Sequence, residues 1–234
     1  MIWVCAALAG EVVEPLANGE VDWTTGTLRV HASGNPHTGA WSDVRVAEQA
    51  ALAQLELRVT EYAGQLDYDS DRVAGELGEE LDGAWQITQT TYHTSGQVEL
   101  VAELELHGWL RGALVEVAAA DADRREPTLS GVLVDARTVD AEACLAPRLL
   151  DPSGALVYGA ASMSRDSATQ RAPVVWVADP ADPAAGDRVG ENPLILVAAD
   201  ARGCDIVLDE LASSRVRQLG GTSVLADAHV VVVM

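Results

Sequence analysis

The sequence predicts an α+β fold in two small modules, with antiparallel sheets, a long helix packed on the first and a strand-rich second module. Three observations carry this. Val44 to Tyr62 is the one long stretch with apolar residues at helical spacing, and Gln97 to His107 alternates between polar and apolar except at Val101. Beyond it come short apolar runs broken by Pro and Gly. The modules are expected over 20–115 and 129–234, with a charged, Ala-rich linker over 116–128 and a signal peptide over 1–9.

Met1 to Ala9 is apolar and ends in Ala7-Leu8-Ala9, the small-x-small form that signal peptidase cuts, so export is expected, with a first strand as the alternative. Cys5 lacks the surroundings of a lipoprotein attachment site, and no other stretch approaches the roughly 20 apolar residues that span a bilayer. Val21 to Ser33 reads as a strand, followed by a loop with Gly34, Asn35, Pro36 and Gly39. The long helix follows. Ser42 or Asp43 can cap it, and Val44, Ala47, Ala51, Leu55, Val59 and Tyr62 share one face, with Gly64 just past the end. A shorter helix fits Arg72 to Leu81 behind Ser70 or Asp71, weakened by Gly75 and Gly78. Strands Ala84 to His93 and Gln97 to His107 then meet at Thr94-Ser95-Gly96. In the second, Val98, Leu100, Ala102, Leu104 and Leu106 form a buried face opposite Gln97, Glu99, Glu103 and Glu105.

The second module holds apolar runs at 129–136, 144–150, 156–158, 174–178, 194–199 and 206–208, then a helix over 209–219 and a closing strand over 228–234. Asp-Pro-Ser-Gly at 151–154 is a hairpin turn, and the Gly and Asn-Pro punctuation of 188–193 leads tightly into the next strand. The tripeptide Asp-Ala-Arg occurs at 135–137 and 200–202, too short a match to mark a duplication.

Composition removes several functional classes. Acidic residues number 36 against 15 basic ones, for a net charge of -21, and such a field repels nucleic acid and anionic lipid. Every basic residue is Arg, so Schiff-base and phosphate-loop lysine chemistry is absent. The acidic excess is spread along the chain as a solvated surface.

Candidate chemical groups are few, and no catalytic residue or cofactor is assigned. Asp67, Asp69 and Asp71 alternate as a calcium loop opens, but Arg72 stands where Gly is needed and Gly78 where Glu is needed. A polar turn capping the next helix is the preferred reading, with a cation site as the alternative. His31, His37, His93, His107 and His229 contain no pair at metal-ligand spacing. Ser130 and Ser153 precede glycines without forming a Gly-x-Ser-x-Gly elbow. With the leader removed, Cys144 and Cys204 are the remaining cysteines, either a disulfide in an oxidising compartment or two buried thiols.

Asp22-Trp23-Thr24-Thr25-Gly26, Arg29 to Gly34 and the helix segment Ala47 to Leu52 resemble the N-terminal module of bacterial envelope proteins related to the flagellar assembly lipoprotein FlgP. Gly131 to Arg137, Ala146 to Gly154, Val157-Tyr158-Gly159, Arg188 to Leu194 and His229 to Val233 resemble the same group's second half, so the likeness covers about 20–234. It departs in two places: the lipid-bearing Cys is absent, and Cys144 and Cys204 are not part of the group's pattern. The resemblance implies an exported, non-enzymatic envelope protein, in some relatives a ring or disk component around the flagellar motor. The expected role is therefore a structural or assembly protein, periplasmic or outer-membrane-associated, acting by self-association or on another envelope protein. The alternative is a periplasmic binding module for a small ligand or divalent cation.

Overall fold

Residues 11–36, 44–65, 84–108, 118 and 127–234 are described by the structure, a computed structural model of the chain. The first of them form strands β1 (Val13–Leu16), β2 (Gly19–Asp22) and β3 (Thr27–Gly34), helix α1 (Val44–Gln65), and strands β4 (Trp85–Tyr92) and β5 (Val98–Glu105). The strands make one sheet in the order β1-β2-β3-β5-β4, antiparallel at every pairing. Its inner face is written in the period-two pattern: Leu28, Val30 and Ala32 of β3 and Val98, Leu100, Ala102 and Leu104 of β5 are buried. Helix α1 lays Ala47, Ala51, Leu55, Val59 and Tyr62 onto that face, the spacing expected from the sequence. The small Ala47 and Ala51 let the helix approach closely. A Cβ added at Gly34 would fall 1.8 Å from the Ala47 carbonyl oxygen, so only glycine fits under this end of the helix.

The strand expected over Val21 to Ser33 is two strands with a reversal between them. The Asp22 carboxylate accepts hydrogen bonds from the Thr24 and Thr25 N–H groups (2.9 and 3.1 Å) and from the Thr25 hydroxyl (2.7 Å). An aspartate closing on its own backbone overrides the strand preference of Trp23, Thr24 and Thr25. The sheet also takes in β1, upstream of the expected module start at residue 20. The β4–β5 hairpin turns at Thr94-Ser95-Gly96 as expected, with Gly96 at φ 84°. The signal peptide, Ser42 and Asp43, the helix at 72–81 and most of the 116–128 linker lie outside the described residues.

The second module contains β6 (Gly131–Asp135), β7 (Leu149–Leu150), β8 (Leu156–Tyr158), α2 (Arg165–Ala168), β9 (Val175–Val177), α3 (Pro183–Val189), β10 (Pro193–Val197), β11 (Asp200–Arg202), β12 (Asp205–Val207), α4 (Glu210–Gln218), α5 (Ser223–Ala226) and β13 (Val230–Val233). It is strand-rich, and the α+β class holds. Its main sheet differs from the expected antiparallel form. The order is β10-β6-β13-β9 and every pairing is parallel. The physical reason lies in the valines. Val230 to Val233 are buried on both faces, and a continuous apolar run is what a doubly covered parallel strand requires. On one face α3 seals Leu133, Val177, Val231 and Val233 through Ala185 and Val189. On the other, Val132, Val134, Val230 and Val232 join a core that extends to Leu28, Leu55 and Leu104 under α1.

A second small sheet, β11-β12-β7-β8, mixes parallel and antiparallel pairings. The Asp151 to Gly154 hairpin joins β7 to β8, with the Asp151 carboxylate accepting from the Ser153 and Ala155 N–H groups at 2.9 Å each. The two Asp-Ala-Arg tripeptides adopt different structures. Asp135 to Arg137 leaves β6 with Arg137 folded back on Asp135 at 2.6 Å, whereas Asp200 to Arg202 is β11 itself.

Candidate functional site

Two features carry functional weight: a cleft where the modules meet and the free edge strand β10. The cleft has a volume of about 210 Å³. One wall comes from the β2–β3 turn (Trp23 to Gly26) and the end of β5 (Glu105 to His107), the other from Gln170 to Ala172, Val174 to Trp176 and Arg188. The turn at Asp22 therefore has a positional effect, because it delivers Trp23 to this wall. Both tryptophans are buried and their N–H groups are satisfied, Trp23 on the Glu14 carboxylate at 3.0 Å and Trp176 on the Cys144 carbonyl at 2.9 Å. They offer the cleft apolar ring surface only.

Its positive charge is supplied by Arg188 and Arg171, beside the acidic Glu105. Arg188 stands in the last turn of α3 and donates to the Ala172 carbonyl; its buried Nε has no hydrogen-bond partner among the described residues. Burial pushes its pKa down to about 10, and the Arg171 charge adds to the effect. Arg171 Nη1 contacts the Asp227 carbonyl (3.3 Å) and His229 Nε2 (3.2 Å). A guanidinium only donates, so Nε2 accepts, and the imidazole proton sits on Nδ1, 3.1 Å from the Ser130 carbonyl. His229 is thereby held neutral, its pKa lowered by burial and then by Arg171. Beneath, the Tyr158 hydroxyl donates to the Pro173 carbonyl at 2.7 Å, and desolvation raises the phenol out of the titratable range.

The free edge lies elsewhere on the second module. In β10, Leu196 is buried, while Ile195 and Val197 on the opposite face are 65% and 60% exposed. They continue the face that α3 covers, since Ile195 registers with Leu133, but the helix stops short of this strand. No charged residue occurs between Pro193 and Val197.

The residues singled out in the sequence are distributed as follows. Cys144 and Cys204 form a disulfide, S–S 2.21 Å, that ties the loop before β7 to the β11–β12 turn. Beside it Arg148 grips Asp205 through Nε (3.0 Å) and Nη2 (2.5 Å). Asp67, Asp69, Asp71 and His37 lie outside the described residues. His93 pairs with Glu99 at 3.1 Å on the first sheet, His31 is partly buried there with a lowered pKa, and His107 lines the cleft. The Ser130 hydroxyl accepts from the Asn192 N–H (2.9 Å), and that of Ser153 bonds Asp151 (2.6 Å), so both are engaged in turns. Among the described residues no three His, Cys, Asp or Glu side chains are placed to hold a metal ion, and no helix is long and apolar enough to cross a membrane. Sequence reasoning missed Arg171 and Arg188. Arg188 opens the Gly and Asn-Pro punctuation of 188–193, a scaffold feature, and Arg171 lies in no motif; the strands that follow them, β9 and β10, stand at opposite edges of one sheet.

Comparison with known proteins separates the two modules. No curated protein matches the chain. The family model that matches is bacterial and does not name the flagellar lipoprotein group that the sequence resembles: residues 131–234, the second module, are similar to the second domain of Treponema pallidum Tp0624.

Proposed function

We propose that this chain is a non-enzymatic assembly protein of the bacterial cell envelope, exported and periplasmic or outer-membrane-associated, that associates with a second copy of itself along β10. The carrying observation is the uncharged edge strand with Ile195 and Val197 exposed. Natural sheets guard free edges with charge or bulges, and an edge left apolar is a template for strand addition. Antiparallel pairing of β10 with its symmetry mate joins two parallel sheets and covers both pairs of side chains, a closed two-fold arrangement. The Cys144–Cys204 disulfide supports export, because such bonds persist in oxidising compartments. The resemblance to flagellar envelope proteins extends the reading to a ring component at the motor, which loss of motility in a deletion strain tests.

Size-exclusion chromatography with light scattering tests the association itself. The native chain should run as a dimer and Ile195→Lys/Val197→Lys as a monomer; a native chain that stays monomeric at high concentration overturns the reading.

A second reading, a periplasmic module for a small ligand, is favoured by one observation. The cleft concentrates two cations in an otherwise acidic protein.

A further inference from the structure

We propose that the cleft between the modules binds a carboxylate carried on a small planar or apolar body, held by Arg188 and Arg171 against the rings of Trp23 and Trp176. The inference deepens the ligand-binding reading and is independent of association along β10.

With 36 carboxylates to 15 guanidiniums pairing is easy, and four of the described arginines are ion-paired, Arg29 with Glu20 and Glu103, Arg137 with Asp135, Arg148 with Asp205 and Arg217 with Asp151. Among the described residues neither Arg171 nor Arg188 has an ion-pair partner, although they are close enough for one charge to act on the other. Burying a cation without an anion is costly, and placing a second beside it raises the cost. An anion in the cleft that both residues line relieves both penalties.

Size and surroundings narrow the class. A volume of about 210 Å³ is below that of ordinary drug-sized pockets and holds one amino-acid-sized group, not a nucleotide. Two indole walls suit a planar or apolar body. Glu105 on the lining disfavours a phosphate dianion over a carboxylate monoanion. The ligand is thus a small aromatic or aliphatic acid, or the C-terminal residue of a peptide.

Titration of the full chain, followed by tryptophan fluorescence and melting temperature, distinguishes the outcomes. N-acetylphenylalanine should quench or shift the emission and raise the melting temperature, while its amide, lacking the charge, should bind at least about tenfold more weakly. Inorganic phosphate should give no saturable response. A short peptide ending in a free Phe carboxylate that binds tighter than the acid assigns the site to chain termini; equal binding assigns it to free acids. Arg188→Met should abolish the response without lowering the melting temperature of the unliganded protein, because it removes an unpaired buried cation. Arg188→Lys, which keeps charge but not the fork, should bind weakly. Where Arg188→Met does not fold, Arg171→Gln serves the same purpose. Equal binding of acid and amide, saturation by phosphate alone, no response to the acid, or unchanged binding in Arg188→Met overturns the proposal. None of these outcomes bears on Ile195 or Val197, so this proposal and the dimer fail separately.

Discussion

His229 is where the residue scale bears most directly on behaviour. Its Nδ1–H is committed to the Ser130 carbonyl and its Nε2 to Arg171, so a second proton has no acceptor and meets a guanidinium. The Ser130 carbonyl and, less, Asp227 act in the opposite sense, and Arg188 adds to Arg171. Because the folded pKa lies below the ordinary value of 6.5, the unfolded chain takes up protons first as the pH falls. The contribution is complete above the unfolded pKa and is lost as pH drops toward the folded one. His31, lowered chiefly by burial, acts in the same direction. The melting temperature should therefore fall as the pH is lowered through the ordinary value of 6.5, and His229→Gln should flatten part of that slope while His31→Gln flattens another part. A slope identical in the native protein and both variants would place the titration elsewhere, with the carboxylates. Asp151 belongs to that lower range, since Ser153, Arg217 and Ala155 hold it well below the usual carboxylate value and its contribution disappears only in strong acid.

At the scale of elements, local order and long-range order were unequally legible in the sequence. Helix α1 and strand β5 could be read because one repeated face decides each of them, at a period of 3.6 or of 2. The β2–β3 reversal could not, because Trp23 and the threonines favour strand and a single carboxylate outweighs them. The helices α2, α3 and α5, of 4, 7 and 4 residues, are too short to show a period. Parallel pairing was hinted at by the valine run of β13, but a buried run alone does not give strand order. The cleft arginines were illegible for a further reason: Arg171 and Arg188 come together only through the placement of β9 and α3. The disulfide shows the same limit, since a separation of 60 residues says nothing of proximity. That separation does set its effect. Closing a loop of this length restricts the unfolded chain by about 4 kcal/mol in the loop-entropy account. Cys144→Ser/Cys204→Ser should lower stability by that order in chemical denaturation, with the first sheet's hydrogen-exchange protection reduced less than that of β7 and β12. Equal loss across both modules would mean that they unfold as one unit.

Over the whole molecule a net charge of -21 opposes both folding and association, and the apolar core that runs from α1 to β13 must overcome it. The ion pairs recover little, because Arg29, Arg148 and Arg217 each keep about two-fifths of the side chain in water. Self-repulsion acts over distances that salt screens, while the disulfide, the valine strands and the edge β10 do not depend on salt in that way. Raising sodium chloride shortens the screening distance from about 10 Å at 0.1 M to about 3 Å at 1 M. The melting temperature should rise over that range, and the dimer fraction should rise with it, because two copies meeting along Ile195 and Val197 bring two negative fields together. Chloride is the appropriate anion, since sulfate is excluded from protein surfaces and stabilises for an unrelated reason. A melting temperature that falls with sodium chloride would mean that short-range pairs such as Arg148–Asp205 outweigh the global repulsion. A dimer fraction that falls while the melting temperature rises would mean that charged surfaces, not β10, make the contact between copies.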